Sequence, residues 1–246
     1  MQRTLFLHVG THKTGTTSFQ KSLVRNEHAL RTAGLRPILW KKTGPKGNRR
    51  STGNHAAFSH AILRDEVRSG ARVRGSVPND GPRRKADRLD RIARRVATAA
   101  EPSVVISTEA LCFLRTDEEQ QVLRDFLAKV DREVRVLITF RAAADWRRSW
   151  LGQLQKMKPA LGGVSVFDEI QSDPEDVRIC GDWYFDQDAI RAFWSPFDLT
   201  ELTYEAEPNM VTALYREMGI DHQGLELDTD IYANQRRVAP TESSPQ

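Results

Sequence analysis

The chain has 246 residues, 39% hydrophobic and 28% charged, with 15 Gly, 11 Pro and a formal net charge of +4. It is long enough to bury one ordinary core, and it lacks both the run of about 18 apolar residues of a membrane span and the composition of collagenous or disordered chains. Cys112 and Cys180 stand outside any CxxC or Cys/His cluster, which excludes a disulfide scaffold or zinc site of usual spacing and makes a reducing cytoplasm the expected compartment.

The opening MQRTLFLHVG has no small-residue cleavage site and reads as a strand over residues 4–9, closed by Gly10. Phe19, Leu23, Ala29 and Leu30 then predict a helix from Thr17 to near Gly34. Residues 41–54, KKTGPKGNRRSTGN, are basic and glycine-rich and read as a mobile surface loop, as do residues 68–82, with a helix between them over 56–67. Leu89, Ile92, Ala93, Val96 and Ala97 follow helical spacing, opposite a face rich in arginine. Residues 103–107 carry the β-branched run of a buried parallel strand, and 118–130 a helix. Residues 134–140 predict a strand followed by a helix over 142–156, and 197–204 a last strand with its helix over 208–218. No repeat is visible, and the final residues 239–246 read as a disordered tail. The alternation predicts an α/β domain over residues 1–238, three layers deep, with a central, mostly parallel sheet flanked by helices. Ligands of such sheets sit at the carboxyl ends of the strands, which selects the residues after Val9, Ile106 and Phe140.

The first of these places holds Gly10-Thr11-His12-Lys13-Thr14-Gly15-Thr16-Thr17, whose two glycines have P-loop spacing. Such a loop turns backbone N–H groups toward a phosphate and adds the positive end of the next helix, so the fold is expected to be P-loop-like. A nucleoside-triphosphate loop has Lys directly after its second glycine; here Thr16 stands there. The lysine lies inside the loop at Lys13, beside the first phosphate, where an ammonium neutralises a leaving group rather than spanning a triphosphate.

HVGTHKTGTTSFQKSL resembles the 5′-phosphosulfate loop of sulfotransferases that use 3′-phosphoadenosine 5′-phosphosulfate (PAPS), particularly the bacterial branch with a KTGTTSxQ core. The resemblance implies that Thr11, His12, Lys13, Thr14, Gly15, Thr16 and Thr17 surround the 5′-phosphosulfate. The family's second signature, an Arg ending a strand and a Ser eight residues later on the 3′-phosphate, is matched by Arg141 and Ser149. Where the family has Asn-Pro after that Arg this chain has Ala142-Ala143, while Asp145 is in place. The late segment Asn234-Gln235-Arg236-Arg237 is similar to the family's closing basic stretch, which implies Arg236 and Arg237 as further 3′-phosphate ligands. The implied reaction moves the sulfuryl group from PAPS to a hydroxyl or amine of a small-molecule, lipid or carbohydrate acceptor. It leaves adenosine 3′,5′-bisphosphate and needs no metal.

Transfer to a hydroxyl requires a base near Lys13. Glu109 is the first candidate: Ser107-Thr108-Glu109-Ala110-Leu111 resembles the Thr-His-Leu base position of cytosolic sulfotransferases, with Glu for His. His55, after Asn54 at the end of the basic loop, is the second, as an imidazole titrating near neutrality or a plain surface residue. His12 is expected to add positive charge to the loop, His8 to be a satisfied core residue, and Trp183 to pack a helix start. Two other functions fit parts of the chain. A P-loop kinase would need the lysine missing at Thr16. A nucleic-acid binder would use the arginines of residues 83–95, but these alternate with Asp87 and Asp90 and lack an aromatic platform, so no nucleic-acid partner is expected. Neither acceptor identity nor oligomeric state is encoded legibly.

Overall fold

The computed structural model describes residues 2–43, 48–67, 69–73, 75–77, 80–157 and 182–231. In chain order its first half contains β1 (Thr4–His8), α1 (Thr16–Arg25), α2 (Glu27–Thr32), β2 (Leu35–Pro37), β3 (Trp40–Thr43), β4 (Arg49–Thr52), α3 (Ala56–Ile62), α4 (Gly70–Val73) and α5 (Pro82–Ala97). The second half contains β5 (Ser103–Ser107), α6 (Asp117–Leu127), β6 (Glu133–Phe140), α7 (Ala143–Met157), α8 (Gln187–Trp194), β7 (Asp198–Thr203) and α9 (Met210–Glu217), with a short 3-10 turn, Glu109–Phe113, after β5.

Strands that are apolar on both faces have to be covered on both faces, and this chain meets that demand with a five-stranded sheet in the order β2-β5-β1-β6-β7, every pairing parallel. Alternation along each central strand divides the core in two. Leu5 and Leu7 of β1, Val104 and Ile106 of β5, and Val136 and Ile138 of β6 join one cluster with Phe58, Ile92, Val96, Phe126 and Trp146 from α3, α5, α6 and α7. Phe6, Val105 and Leu137, the intervening residues, join a second with Phe19, Leu23, Leu30, Leu214 and Tyr215 from α1, α2 and α9. Helices therefore flank both faces of the sheet. No helix among the described residues is long and apolar enough to cross a membrane.

The amphipathic reading of α5 holds, with Leu89, Ile92, Ala93 and Val96 buried. α6 begins with a full capping box: the Thr116 side chain accepts from the Glu119 N–H, and Glu119 accepts from the Thr116 N–H.

Other expectations are corrected. The helix from Thr17 divides at Asn26, whose amide turns to Ser22 Oγ and the Asp228 carbonyl. The described residues of the basic stretch at 41–54 include paired strands rather than loop alone: β3 and β4 pair antiparallel, Trp40 opposite Thr52 and Lys41 opposite Ser51. Composition hid this hairpin because lysines and arginines occupy positions where a half-buried strand would show apolar alternation. Its root is fixed at Gly53, where any side chain would collide with the Gln20 carbonyl oxygen of α1. The helix expected over 56–67 stops at Ile62. In the second supposed loop Arg72 donates to the carbonyls of Leu63, Arg64 and Val67, fastening α4 beneath α3. The edge strand β2 and the helix α8, capped by Asp186, were not foreseen. Arg236, Arg237, the 239–246 tail and Cys180 lie outside the described residues.

Candidate active site

β1 runs between β5 and β6, so the segments leaving its carboxyl end and theirs adjoin in space. The segment after β1 turns on three left-handed residues, Gly10 (φ 105°), Lys13 (φ 67°) and Gly15 (φ 82°). For Lys13 that conformation carries a steric cost of roughly 1–2 kcal/mol, which the surrounding contacts must offset. The loop is bonded to β6 on one side: the Thr11 N–H and Oγ1 both donate to the Thr139 carbonyl, and the Thr139 N–H donates to the Gly10 carbonyl. Thr14 Oγ1 donates to the Thr11 carbonyl at 2.6 Å. Thr11 and Thr14 are buried, and their hydroxyls donate within this part of the fold, which holds the loop's shape.

α1 begins at Gly15 with no side-chain cap and no acidic residue in its first turn, and its Ser18 and Phe19 N–H groups share the Gly15 carbonyl. Helix geometry leaves the first-turn N–H groups without intrahelical acceptors, so the Thr16 and Thr17 amides and the helix dipole offer an anion site. Thr16 is buried and Thr17 half-buried. Met210 at the start of α9 closes the far side of the turn: a side-chain carbon on Gly15 would lie 3.2 Å from Met210 Cβ.

His12 does not bring charge to this loop. Its ring packs on Phe113 and Trp150 at 4.9 and 5.0 Å, with Nδ1 3.5 Å from Cys112 Sγ. Burial, and then the Lys13 ammonium, lower its pKa to about 3. Tyr184 and Trp146 continue the aromatic cluster, with Trp183 packed against Phe113 at its margin.

Arg141, at the end of β6, reaches the loop directly: Nη1 donates to the Lys13 carbonyl at 3.3 Å, and the guanidinium lies over the Tyr204 ring at 4.9 Å. Glu205 stands on its other edge, 3.5 Å from Nε, and also accepts from the Ala142 N–H. Gln187 donates to the Arg141 carbonyl at 2.7 Å. Ser149 sits half-buried on α7, two turns farther along.

Glu109 begins the 3-10 turn after β5 and abuts the loop so closely that a side-chain carbon on Gly10 would lie 3.1 Å from Glu109 Cα. Its partners are neutral: Gln20 Nε2 donates to Oε2 at 2.6 Å and Asn54 Nδ2 to Oε1 at 3.1 Å. Burial pushes the carboxyl pKa up, and the two amides act against that rise. Gln20 and Asn54 were missed as site residues, although both lie within stretches already singled out, the KTGTTSxQ core and the Asn-His pair.

His55 is the main correction. Its backbone N–H donates to the Ser107 carbonyl, yet its ring is buried, stacked on Trp40 and edge-on to Phe58, with neither ring nitrogen bonded. Burial and then Arg95 lower its pKa to about 3, so it is neither a surface histidine nor a group titrating near neutrality. His8 is half satisfied: Nδ1 pairs with Ser107 Oγ at 2.8 Å, while Nε2 has no partner. Among the described residues, no group of three or more His, Cys, Asp or Glu is placed to hold a metal ion. A broad groove lined by Val24, Glu27, His28 and Arg31 opens beside Glu101, which lies just before the amino end of β5 and so away from the carboxyl ends where the loop sits. No protein-family model matches the chain, and no curated protein is significantly similar to it.

Proposed function

We propose that this chain is a PAPS-dependent sulfotransferase whose P-loop-like turn holds the 5′-phosphosulfate. One observation supports this above the others: an internal lysine in a doubly glycine-hinged turn is flanked by an arginine on one adjoining strand end and a half-buried carboxylate on the other. The residues fit a bisphosphorylated nucleotide in kind. The uncapped start of α1 suits the 5′-phosphate, and the guanidinium N–H groups of Arg141 not engaged with Lys13 and Glu205 suit the 3′-phosphate, with Ser149.

In the reaction the acceptor oxygen forms a bond to sulfur as the bond from sulfur to the bridging phosphate oxygen breaks, leaving adenosine 3′,5′-bisphosphate. Glu109 takes the acceptor's proton on a carboxylate oxygen. Lys13 and the α1 amides neutralise the charge that develops on the departing phosphate, work for which a kinase recruits a divalent cation. The acceptor is a hydroxyl, or an amine, of a small molecule, lipid or carbohydrate.

The test has a binding arm and a transfer arm. Calorimetry in EDTA should show adenosine 3′,5′-bisphosphate binding, weakened at least tenfold in Arg141→Ala. Radiolabelled sulfate should pass from PAPS to at least one member of a panel of phenols, sugars, lipids and amines. Magnesium-dependent ATP binding in place of bisphosphate binding would overturn the assignment in favour of a kinase.

A further inference from the structure

Glu109 presents a problem that the proposed reaction does not itself resolve. Burial at the end of β5 raises the pKa of this carboxyl above the ordinary value, and only its ionised form can accept the acceptor's proton. A neighbouring Arg or Lys would keep it ionised but would also hold its basicity down, the opposite of what a base requires. This chain uses two neutral donors from opposite sides. Gln20 comes from α1 and reaches Oε2 at 2.6 Å; Asn54 comes from the root of the β3–β4 hairpin and reaches Oε1 at 3.1 Å.

We infer that Gln20 and Asn54 are positioning residues that clamp Glu109, one amide on each oxygen, and fix the carboxylate for proton abstraction from the acceptor. As a role in transfer, this rests on the sulfotransferase reading. Each oxygen already accepts one side-chain N–H and the residue's own backbone N–H also acts on the carboxylate, so the direction in which an acceptor O–H can approach is set by these donors rather than by free rotation of the side chain. Both arms are themselves held. The other Gln20 N–H reaches Ser107 Oγ at 3.4 Å, and Ser107 Oγ pairs with His8 Nδ1. Asn54 follows Gly53, whose missing side chain lets the hairpin root close onto the Gln20 backbone, and it forms a parallel bridge to Ser107. The three segments that meet at Ser107 are thereby the three that meet at Glu109.

Burial is the largest influence on the carboxyl, and the hydrogen bonds from Gln20, from its own backbone N–H and from Asn54 oppose it in that order. The imidazoles of His8 and His12 are neutral, the Cys112 thiol is pushed up to about 12, and the Tyr184 phenol is held well above its usual value. Among the described residues, the cations on the adjoining segments include Lys13 on the facing loop, Arg141 on its carbonyl and Arg115 beside Cys112.

The experiment uses the full chain and four variants: Gln20→Met, which keeps shape and loses the donor, Asn54→Ala at a half-exposed position, Asn54→Asp, and Glu109→Gln to assign the carboxyl signal. Carbon-13 NMR of the Glu109 carboxyl should show its pKa rising by about one unit in Gln20→Met and in Asn54→Ala, and further in Asn54→Asp, where a second carboxylate faces the first. The acid limb of the pH profile of kcat/KM for sulfuryl transfer should rise with it, with acceptor KM little changed. An unmoved Glu109 pKa in folded Asn54→Ala overturns the clamp, even if transfer is robust. A pKa that moves without the acid limb overturns the catalytic purpose of the clamp. If no acceptor is sulfated by the native chain but the NMR shifts appear, the clamp stands and the reaction assignment falls instead.

Discussion

Lys13 combines an unfavourable backbone with a favourable charge, and that combination locates its value in function. Replacing it by Ala removes the ammonium beside the departing phosphate; removing one such stabilising group costs on the order of 10²–10³ in kcat. Sulfuryl-transfer kinetics on Lys13→Ala should show that loss, with a melting temperature near that of the native chain. His55 gives the opposite pattern. Its two unbonded ring nitrogens are buried beside Trp40 and Phe58, so His55→Leu should leave kcat within about twofold and stability unchanged or raised by roughly 1 kcal/mol, read by urea denaturation. At this scale the sequence was legible where a residue's neighbours in the chain decide its role. Lys13, Glu109 and Arg141 each end or follow a strand, and their positions follow from strand direction. His55 was not legible, because what buries it comes from Trp40 and from α3, and Gln20 and Asn54 escaped notice because their partner lies 89 and 55 residues away.

Among the elements, the junction of α3, the 3-10 turn and α6 turns on one side chain. The Glu119 carboxylate accepts from the Arg64 N–H and guanidinium, and from the backbone N–H groups of Arg115 and Thr116. The Arg64 pair is largely buried, with Glu119 3% exposed. Glu119→Ala leaves those donors without their acceptor, and its cost should be about 3–5 kcal/mol in chemical denaturation. The start of α6 was readable from Thr116 and Glu119 as a capping box would be; the arginine that completes the knot was not, since periodicity describes a single helix and not the turn that meets it. The hairpin β3–β4 was missed for a related reason. Its pairing is fixed by backbone fit at Gly53 and by Trp40, and neither appears as alternation in a run of lysines and arginines.

For the whole molecule, the strand order was recoverable only as a class. The sequence supports a mostly parallel sheet with helices around it, whereas the order β2-β5-β1-β6-β7 depends on which helices pack together across the two faces. The same enclosure sets the acid response. His8 and His55 have folded pKa values near 3 against an ordinary 6.5, so below pH 6.5 the unfolded chain binds protons that the folded chain refuses. Their contribution to stability is complete above pH 6.5 and is lost as pH falls through the interval toward 3. By pH 5 each should have cost about 2 kcal/mol, and urea titrations at pH 7.5 and pH 5 should differ by about 4 kcal/mol from this pair. His12 and His60, lowered likewise to about 3 and about 4, add to the measured difference, and His55→Leu should reduce it by about 2 kcal/mol, its own share.

Because β1 is bonded to β5 and β6 along its whole length, the width between the base and the arginine is metered by two interstrand steps of about 4.8 Å each, not by the long connections that separate them in the chain. Helices between those strands can lengthen, shorten or be exchanged without altering that width. A single residue removed from within β5 is another matter: the chain after the deletion moves back by one position, presenting Ala110 where the carboxylate had been. That width therefore tolerates insertions in connections remote from the Lys13 loop, Gln20 and Asn54, and not the deletion of one residue from the strand.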